Sequence, residues 1–325
     1  MQDESDARDL AALTRETQEL WEGKADFWDA QMGEGNAFHR TLIGPAVERL
    51  LAPQSGETFL DIACGNGQFA RRLAQLGVLV IATDFSATFL DRARARTTEN
   101  AERLDYRLVD ATDEAQLLAL GAGRFDGAVC NMALMNMSTI SPLLNALTKL
   151  IKPGGRLIFA IPHPCFNSNA TRLALEEEDR GGQLHETRSV RITAYLEVPP
   201  GKGMGMPGEP NPHYYFHRPL HELLGACFAA GFALDGLEEP AFGADEVGTR
   251  PLSWLNFPQI PPALVARMRL ITNARSVVGE CGEAWPAAPL QVGNGARQHL
   301  GRLPSPHAVG QMFAWIVVVI DAAIA

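Results

Sequence analysis

Cysteine is scarce in this 325-residue chain: the five present, Cys64, Cys130, Cys165, Cys227 and Cys281, are odd in number and far apart. Such a set excludes a disulfide framework and reads as buried thiols in a reducing compartment. Positive charge is also short, with 28 Lys and Arg against 38 Asp and Glu and a formal charge of −10. Gripping a phosphate backbone requires a basic face, so no nucleic-acid partner is expected, and a small-molecule substrate is favoured. The opening Met1-Gln2-Asp3-Glu4-Ser5-Asp6 is acidic and lacks the basic and apolar regions of a signal peptide. The apolar run Met312 to Ile320 is too short to span a bilayer and meets Asp321. These absences make the cytoplasm the expected location, with no membrane partner. No internal repeat occurs, and His163, Cys165, His213 and His217 lack the ligand spacing of a known metal site, so no metal is expected.

What is present centres on residues 58 to 67, Thr-Phe-Leu-Asp-Ile-Ala-Cys-Gly-Asn-Gly. An apolar run, a glycine-bearing turn and an amphipathic stretch from Gln68 to Leu76 predict strand, tight loop and helix, a nucleotide-binding corner. Gly65 and Gly67 allow turn geometry and a close approach of backbone to ligand. A second buried strand, Val78 to Thr83, ends at Asp84, about 17 residues beyond Gly67 and roughly where a ribose-binding carboxylate is expected. Gly65-Asn66-Gly67-Gln68-Phe69-Ala70 also fits the loose G-x-G-x-x-G/A pattern of nicotinamide enzymes, which keeps a nicotinamide-dependent oxidoreductase open as an alternative. Asp61 weighs against it. A carboxylate inside the first strand repels a pyrophosphate and suits a ligand bearing an ammonium and a sulfonium.

With Asp61, Ala63, Gly65 and Gly67 in sequence, the chain resembles the class I (Rossmann-like) S-adenosylmethionine-dependent methyltransferases, with alanine replacing the first glycine of their motif. The resemblance covers roughly residues 20 to 270. It implies an α/β fold with a seven-stranded mixed sheet, S-adenosyl-L-methionine as cofactor, and transfer of its methyl group by in-line displacement. Further strands are expected at Leu104 to Val109, Phe125 to Cys130, Arg156 to Ile161 and Phe232 to Leu237, with an antiparallel seventh strand near 262 to 270. Helix, Lys152-Pro153-Gly154-Gly155 stop and buried strand together mark the fifth strand. The resemblance assigns the donor's methionine end to Asp61 and the Gly65 to Gly67 turn, its ribose to Asp84, its adenine to Phe85, Asp110 and Ala111, and its outer edge to Asn131. From the residues alone, Asp110 is equally an acid at a strand end or helix start. Asn131-Met132-Ala133 lacks the Pro-Pro and aromatic that usually follow in methyltransferases of exocyclic or amide nitrogens. A third alternative is a ligand-binding or scaffold module on the same fold.

Residues 1–56 are expected to form N-terminal cap helices, 57–270 the methyltransferase domain, and 271–325 a C-terminal extension with no assigned role. The aromatic cluster Trp21, Phe27, Trp28 and Phe38 is either core or a lid over the donor's methionine end. The long connection 162–218 is expected to supply a β-ribbon, with a strand at Val190 to Leu196, that walls the acceptor pocket. His163, between two prolines just after the fifth strand, is the expected base if the acceptor must lose a proton, with His213, Tyr215 and His217 in the pocket around it.

Overall fold

A computed structural model describes residues 2–271; the apolar run at 312–320 and nearly all of the C-terminal extension lie outside the described residues. The chain opens with three helices, α1 (Gln2–Glu22), α2 (Ala25–Met32) and α3 (Gly44–Leu51). It then alternates β1 (Thr58–Ile62), α4 (Gln68–Gln75), β2 (Leu79–Asp84), α5 (Ala87–Arg96), β3 (Leu104–Leu108), α6 (Glu114–Leu118), β4 (Phe125–Asn131), α7 (Ser141–Leu150) and β5 (Ile151–Pro162). Two hairpins follow, β6 (Thr171–Arg180) with β7 (Gln183–Ile192), and β8 (Gly201–Gly203) with β9 (His213–Tyr215). Helix α8 (Leu220–Ala229), β10 (Phe232–Glu238) and β11 (Ala263–Leu270) complete the described chain.

Seven strands form one sheet in the order β10-β11-β5-β4-β1-β2-β3. The neighbours from β5 to β3 are parallel, whereas β11 runs antiparallel to both β5 and β10, so the sheet is mixed as expected. The strand order reverses between β1 and β4, which is where open α/β sheets leave a crevice at the carboxyl edge. Central strands here are apolar on both faces because both faces are covered. Leu60 and Ile62 of β1 pack in the cluster that holds α7 and Cys227 of α8, while Phe59 packs in the opposite cluster with α3 and α4.

Sequence signals account for most element ends. Ser86 caps α5, its Oγ accepting from the Phe89 amide at 3.1 Å, and Asp113 caps α6 by accepting from the amides of Ala115 and Gln116. Two expectations need correction. β5 starts at Ile151 and runs through Pro153-Gly154-Gly155, because Ile151 already pairs with Phe125 and the glycines are absorbed as an irregularity in register. The ribbon is β6–β7, whose second strand ends at Ile192, so Thr193 to Leu196 lie beyond it. Gly181 and Gly182, both at positive φ, form its two-residue turn.

Candidate active site

The carboxyl ends of β1, β2 and β4 open into a cavity that α1 and α2 cover from one side and β9 from another. Asp61, Ala63, Gly65, Asp84, Phe85, Asp110, Ala111 and Asn131 all line it, as do His213 and Tyr215. The aromatic cluster divides: Trp21, Trp28 and Phe38 line the cavity, while Phe27 packs against the core. Met132, Met135 and Met137 add an apolar wall. Among the described residues, no lysine or arginine lines this cavity, although three aspartates do.

Asp61 is 2% exposed and Asp84 5%, and the two repel each other. Burial first, and then the Asp84 charge, push the Asp61 carboxyl up to about 8. Burial also raises Asp84, to about 6, partly offset by amides that donate to it: Ser86 N to Oδ1 and Gly65 N to Oδ2, each at 2.9 Å. Oδ2 of Asp61 and Oδ1 of Asn131 are buried with no hydrogen-bond partner. Unpaired buried acceptors carry a desolvation cost, of order 1–3 kcal/mol each, that a donor-bearing ligand would remove. Backbone strain occurs at the same edge. Ala63 and Met132, just past β1 and β4, both hold φ at 52°, a left-handed conformation that costs a residue with a β-carbon roughly 1–2 kcal/mol.

The two motif glycines do different work. Gly65, at φ 55°, has nothing within 4 Å of where a β-carbon would stand, so its free side faces open space in the cavity wall. Gly67 does not line the cavity. A β-carbon there would stand 2.6 Å from the Tyr106 hydroxyl and 3.0 Å from the Ala93 β-carbon, so this glycine admits β3 and α5 against the turn. Asp110 is held at the rim: its Oδ1 accepts from the amide and hydroxyl of Thr112, and its Oδ2 from Gln18 Nε2 of α1 at 2.5 Å.

His163 is not in the cavity. It is buried, its Nε2 lies 2.7 Å from Glu239 Oε1, and its Nδ1 accepts from the Cys165 amide at 3.1 Å. With Nδ1 accepting, the proton sits on Nε2 and donates to Glu239, so both nitrogens are engaged and burial holds the ring's pKa down. Of the two prolines that flank it, Pro162 lines the cavity and Pro164 a separate small pocket, while His163 lines neither. His217 is displaced as well, its Nε2 donating to the Tyr195 carbonyl at 2.7 Å beside a separate small pocket. Nor does the β6–β7 ribbon wall the cavity, since its residues from Glu176 to Thr187 are exposed and none lines it. That wall comes from β9, tied down by Phe216 N donating to the Met135 carbonyl at 2.7 Å.

A buried cluster beside His213 escaped the sequence reading. Lys24, between α1 and α2, ion-pairs with Glu209, and its Nζ also reaches His213 Nδ1 at 2.6 Å and the Asn211 carbonyl at 3.3 Å. Glu209 Oε2 accepts from the Gly205 amide at 2.6 Å, and Oε1 lies 2.9 Å from His213 Nδ1. Burial lowers Lys24 to about 8, whereas Glu209, despite burial, is drawn down to about 2 by His213 and Lys24. The one available signal was a lysine set among Trp21, Phe27 and Trp28; its partner lies 185 residues away.

Comparison with known proteins agrees with this geometry. The family described as a methyltransferase domain matches residues 60–159. A ubiquinone biosynthesis O-methyltransferase of Xanthomonas axonopodis is 32% identical over 138 residues, 41% of this chain and 55% of that protein. A demethylmenaquinone methyltransferase of Clavibacter sepedonicus is 34% identical over 113 residues, 35% of this chain and 44% of that protein. The chain thus spans about half the length of these relatives. Among solved structures, an S-adenosylmethionine-dependent methyltransferase from Mesorhizobium loti is 26% identical with a TM-score of 0.56, covering 69% of this chain and 96% of its own. None of these matches supports the nicotinamide alternative. Sheet order, acidic notch and matched segment agree: the chain carries a methyltransferase domain match over residues 60–159 and is similar in fold to an S-adenosylmethionine-dependent methyltransferase.

Proposed function

We propose that this chain transfers the methyl group of S-adenosyl-L-methionine to a small, uncharged and mostly apolar acceptor. The observation that carries the proposal is the cavity's charge: three aspartates and no lysine or arginine among the described residues that line it. A diphosphate would find no counter-charge there, while an ammonium and a sulfonium would find carboxylates. Asp61 and the Gly65 turn are assigned the methionine portion, Asp84 the ribose hydroxyls, Asp110, Ala111 and Phe85 the adenine edge, and Asn131 the donor's outer edge. The unpaired Oδ2 of Asp61 and Oδ1 of Asn131 support this fit. When bound, the donor supplies an activated methyl, so the protein's task is to align the acceptor and exclude water.

Trp28, Phe38, Met132 and Tyr215 give the acceptor side an aromatic and thioether lining suited to a flat ring. The relatives' names, ubiquinone and demethylmenaquinone, make hydroxylated quinone-like rings the first acceptors to test. In domain terms we assign cap helices to 1–56 and the catalytic domain to 57–270. Within 162–218 we assign the acceptor-facing part to β9, with Pro162 and Asn167 beside it. Calorimetry with S-adenosylhomocysteine and with NADH tests the proposal. Micromolar binding of the former, weakened at least tenfold by Asp84→Ala, is expected; binding of NADH alone would overturn it.

A further inference from the structure

Methyl transfer to a hydroxyl leaves a proton to be disposed of, and His163, the residue the sequence suggests for it, has both ring nitrogens committed elsewhere. Two other histidines line the cavity, His39, whose Nδ1 meets Asn36 Oδ1 at 3.0 Å, and His213, which sits against a buried lysine and glutamate. His213 is 1% exposed and lines the cavity, and its Nδ1 faces two partners at once, Lys24 Nζ at 2.6 Å and Glu209 Oε1 at 2.9 Å. No hydrogen bond engages its Nε2 among the described residues, which leaves that nitrogen for a ligand in the cavity. Glu209 accepts from Lys24, Trp28 Nε1 and the amides of Gly205 and Met206, and from His213 when Nδ1 carries the proton. A carboxylate accepting that many donors stays ionised.

We propose that Lys24, Glu209 and His213 form a proton relay for an acceptor hydroxyl, in which His213 Nε2 takes the proton and Lys24 Nζ receives the one displaced from Nδ1. This rests on the methyltransferase reading above and narrows its acceptor to an O–H nucleophile. The cluster has two states that differ in where the His213 proton sits, and Glu209 has a donor from His213 only in the second. With Lys24 charged, its three N–H groups point at Glu209, the Asn211 carbonyl and His213 Nδ1, so the histidine proton sits on Nε2. With Lys24 neutral, its lone pair accepts from Nδ1–H, and Nε2 presents a lone pair to the cavity. Only the second state takes a proton from the acceptor. As the acceptor oxygen bonds to the methyl carbon and the carbon–sulfur bond breaks, the bonding pair stays on sulfur. The hydroxyl proton passes to Nε2 and the Nδ1 proton to Nζ. The positive charge lost by the sulfonium therefore reappears on Lys24, beside the Glu209 carboxylate and 4.2 Å over the Trp21 ring.

Other groups around the cluster do not compete for the proton. Tyr215, whose ring lies 4.6 Å from that of His213, is kept a phenol by burial, and α1 and α2 present the indoles of Trp21 and Trp28. Burial keeps His213 itself neutral, and the lowering of Lys24 to about 8 puts both states within reach near neutrality.

Nitrogen-15 NMR of the imidazoles, with carbon-13 detection of the lysine side chains, tests the relay on the full chain between pH 6 and 10, without and with S-adenosylhomocysteine. The expected result is one step near pH 8 in which Lys24 loses its proton and His213 changes from the Nε2–H to the Nδ1–H tautomer. The step should vanish in the charge-balanced variant Lys24→Met with Glu209→Gln. A wild-type His213 that keeps one tautomer throughout, or a Lys24 still charged at pH 10, overturns the relay. So does persistence of the step in the variant. Calorimetry with S-adenosylhomocysteine judges the donor assignment separately, because the tautomer change does not require that ligand.

Discussion

Ala63 occupies a backbone conformation that glycine would hold without strain, and it does so at the ligand edge of the first strand. The left-handed φ costs roughly 1–2 kcal/mol for a residue with a β-carbon. Glycine would give back about 0.4–1 kcal/mol through the greater freedom of the unfolded chain. Ala63→Gly is therefore expected to raise the unfolding free energy by roughly 0.5–1 kcal/mol, read from urea denaturation; a loss of stability would show that the strain is absent. Gly65 and Gly67 look alike in the motif, yet their surroundings differ. Gly67→Ala adds a collision with Tyr106 and Ala93 to the backbone strain, and should cost about 2–4 kcal/mol. Gly65→Ala meets no atom within 4 Å, so it should cost only about 1–2 kcal/mol while weakening S-adenosylhomocysteine binding at least tenfold. Equal stability losses for the two variants would contradict this division.

Among the elements, those of the sheet were legible because each buried strand is a short apolar run closed by a turn residue, and those runs do not depend on distant partners. Ser86 as a helix cap and the apolar run near 262 to 270 are examples, whereas the antiparallel direction of that strand was implied by the family resemblance. The direction of His163 was not legible, since it depends on Glu239 arriving from beyond β10 to take Nε2. The same holds for Lys24 and Glu209, which meet only in the fold. The ribbon was misplaced for a different reason. Its strands carry charge on both faces, so apolar alternation marks only the end nearest the core, whereas the Gly181-Gly182 turn marks the register. Replacing 176–187 by Asn-Gly keeps Leu175 opposite Arg188 and removes only exposed strand. The surface pairs Arg191–Glu176 and Arg188–Glu186 that are lost contribute little. Affinity for S-adenosylhomocysteine should stay within twofold, and unfolding free energy within about 0.5 kcal/mol. A tenfold loss of affinity would return the ribbon to the cavity wall.

For the molecule as a whole, the buried groups in and beside the cavity predict an unusual dependence of stability on pH. Glu209 is drawn down from 4.5 to about 2, so the unfolded chain holds its proton longer and stability rises with pH across that interval. Asp61 and Asp84 act in the opposite sense. Raised from 3.8 to about 8 and about 6, they hold protons in the folded state that the unfolded chain has released, so stability falls as pH climbs toward 8. Lys24 then reverses the slope: lowered from 10.5 to about 8, it binds a proton in the unfolded chain that the folded state lacks, and stability recovers above 8. The free protein should accordingly show a stability minimum near pH 8, seen as a dip in the urea midpoint between pH 5 and 10. S-adenosylmethionine should fill that dip, because its ammonium and sulfonium favour the ionised Asp61, tightening binding as pH rises from 6 to 8. At pH 7 its binding should release about one proton, measured by calorimetry in buffers of different ionisation enthalpy, and Asp61→Asn should abolish most of the release. An affinity that stays flat from pH 6 to 8, with no proton release, would mean that the carboxylate at the tip of β1 does not face the donor's charge.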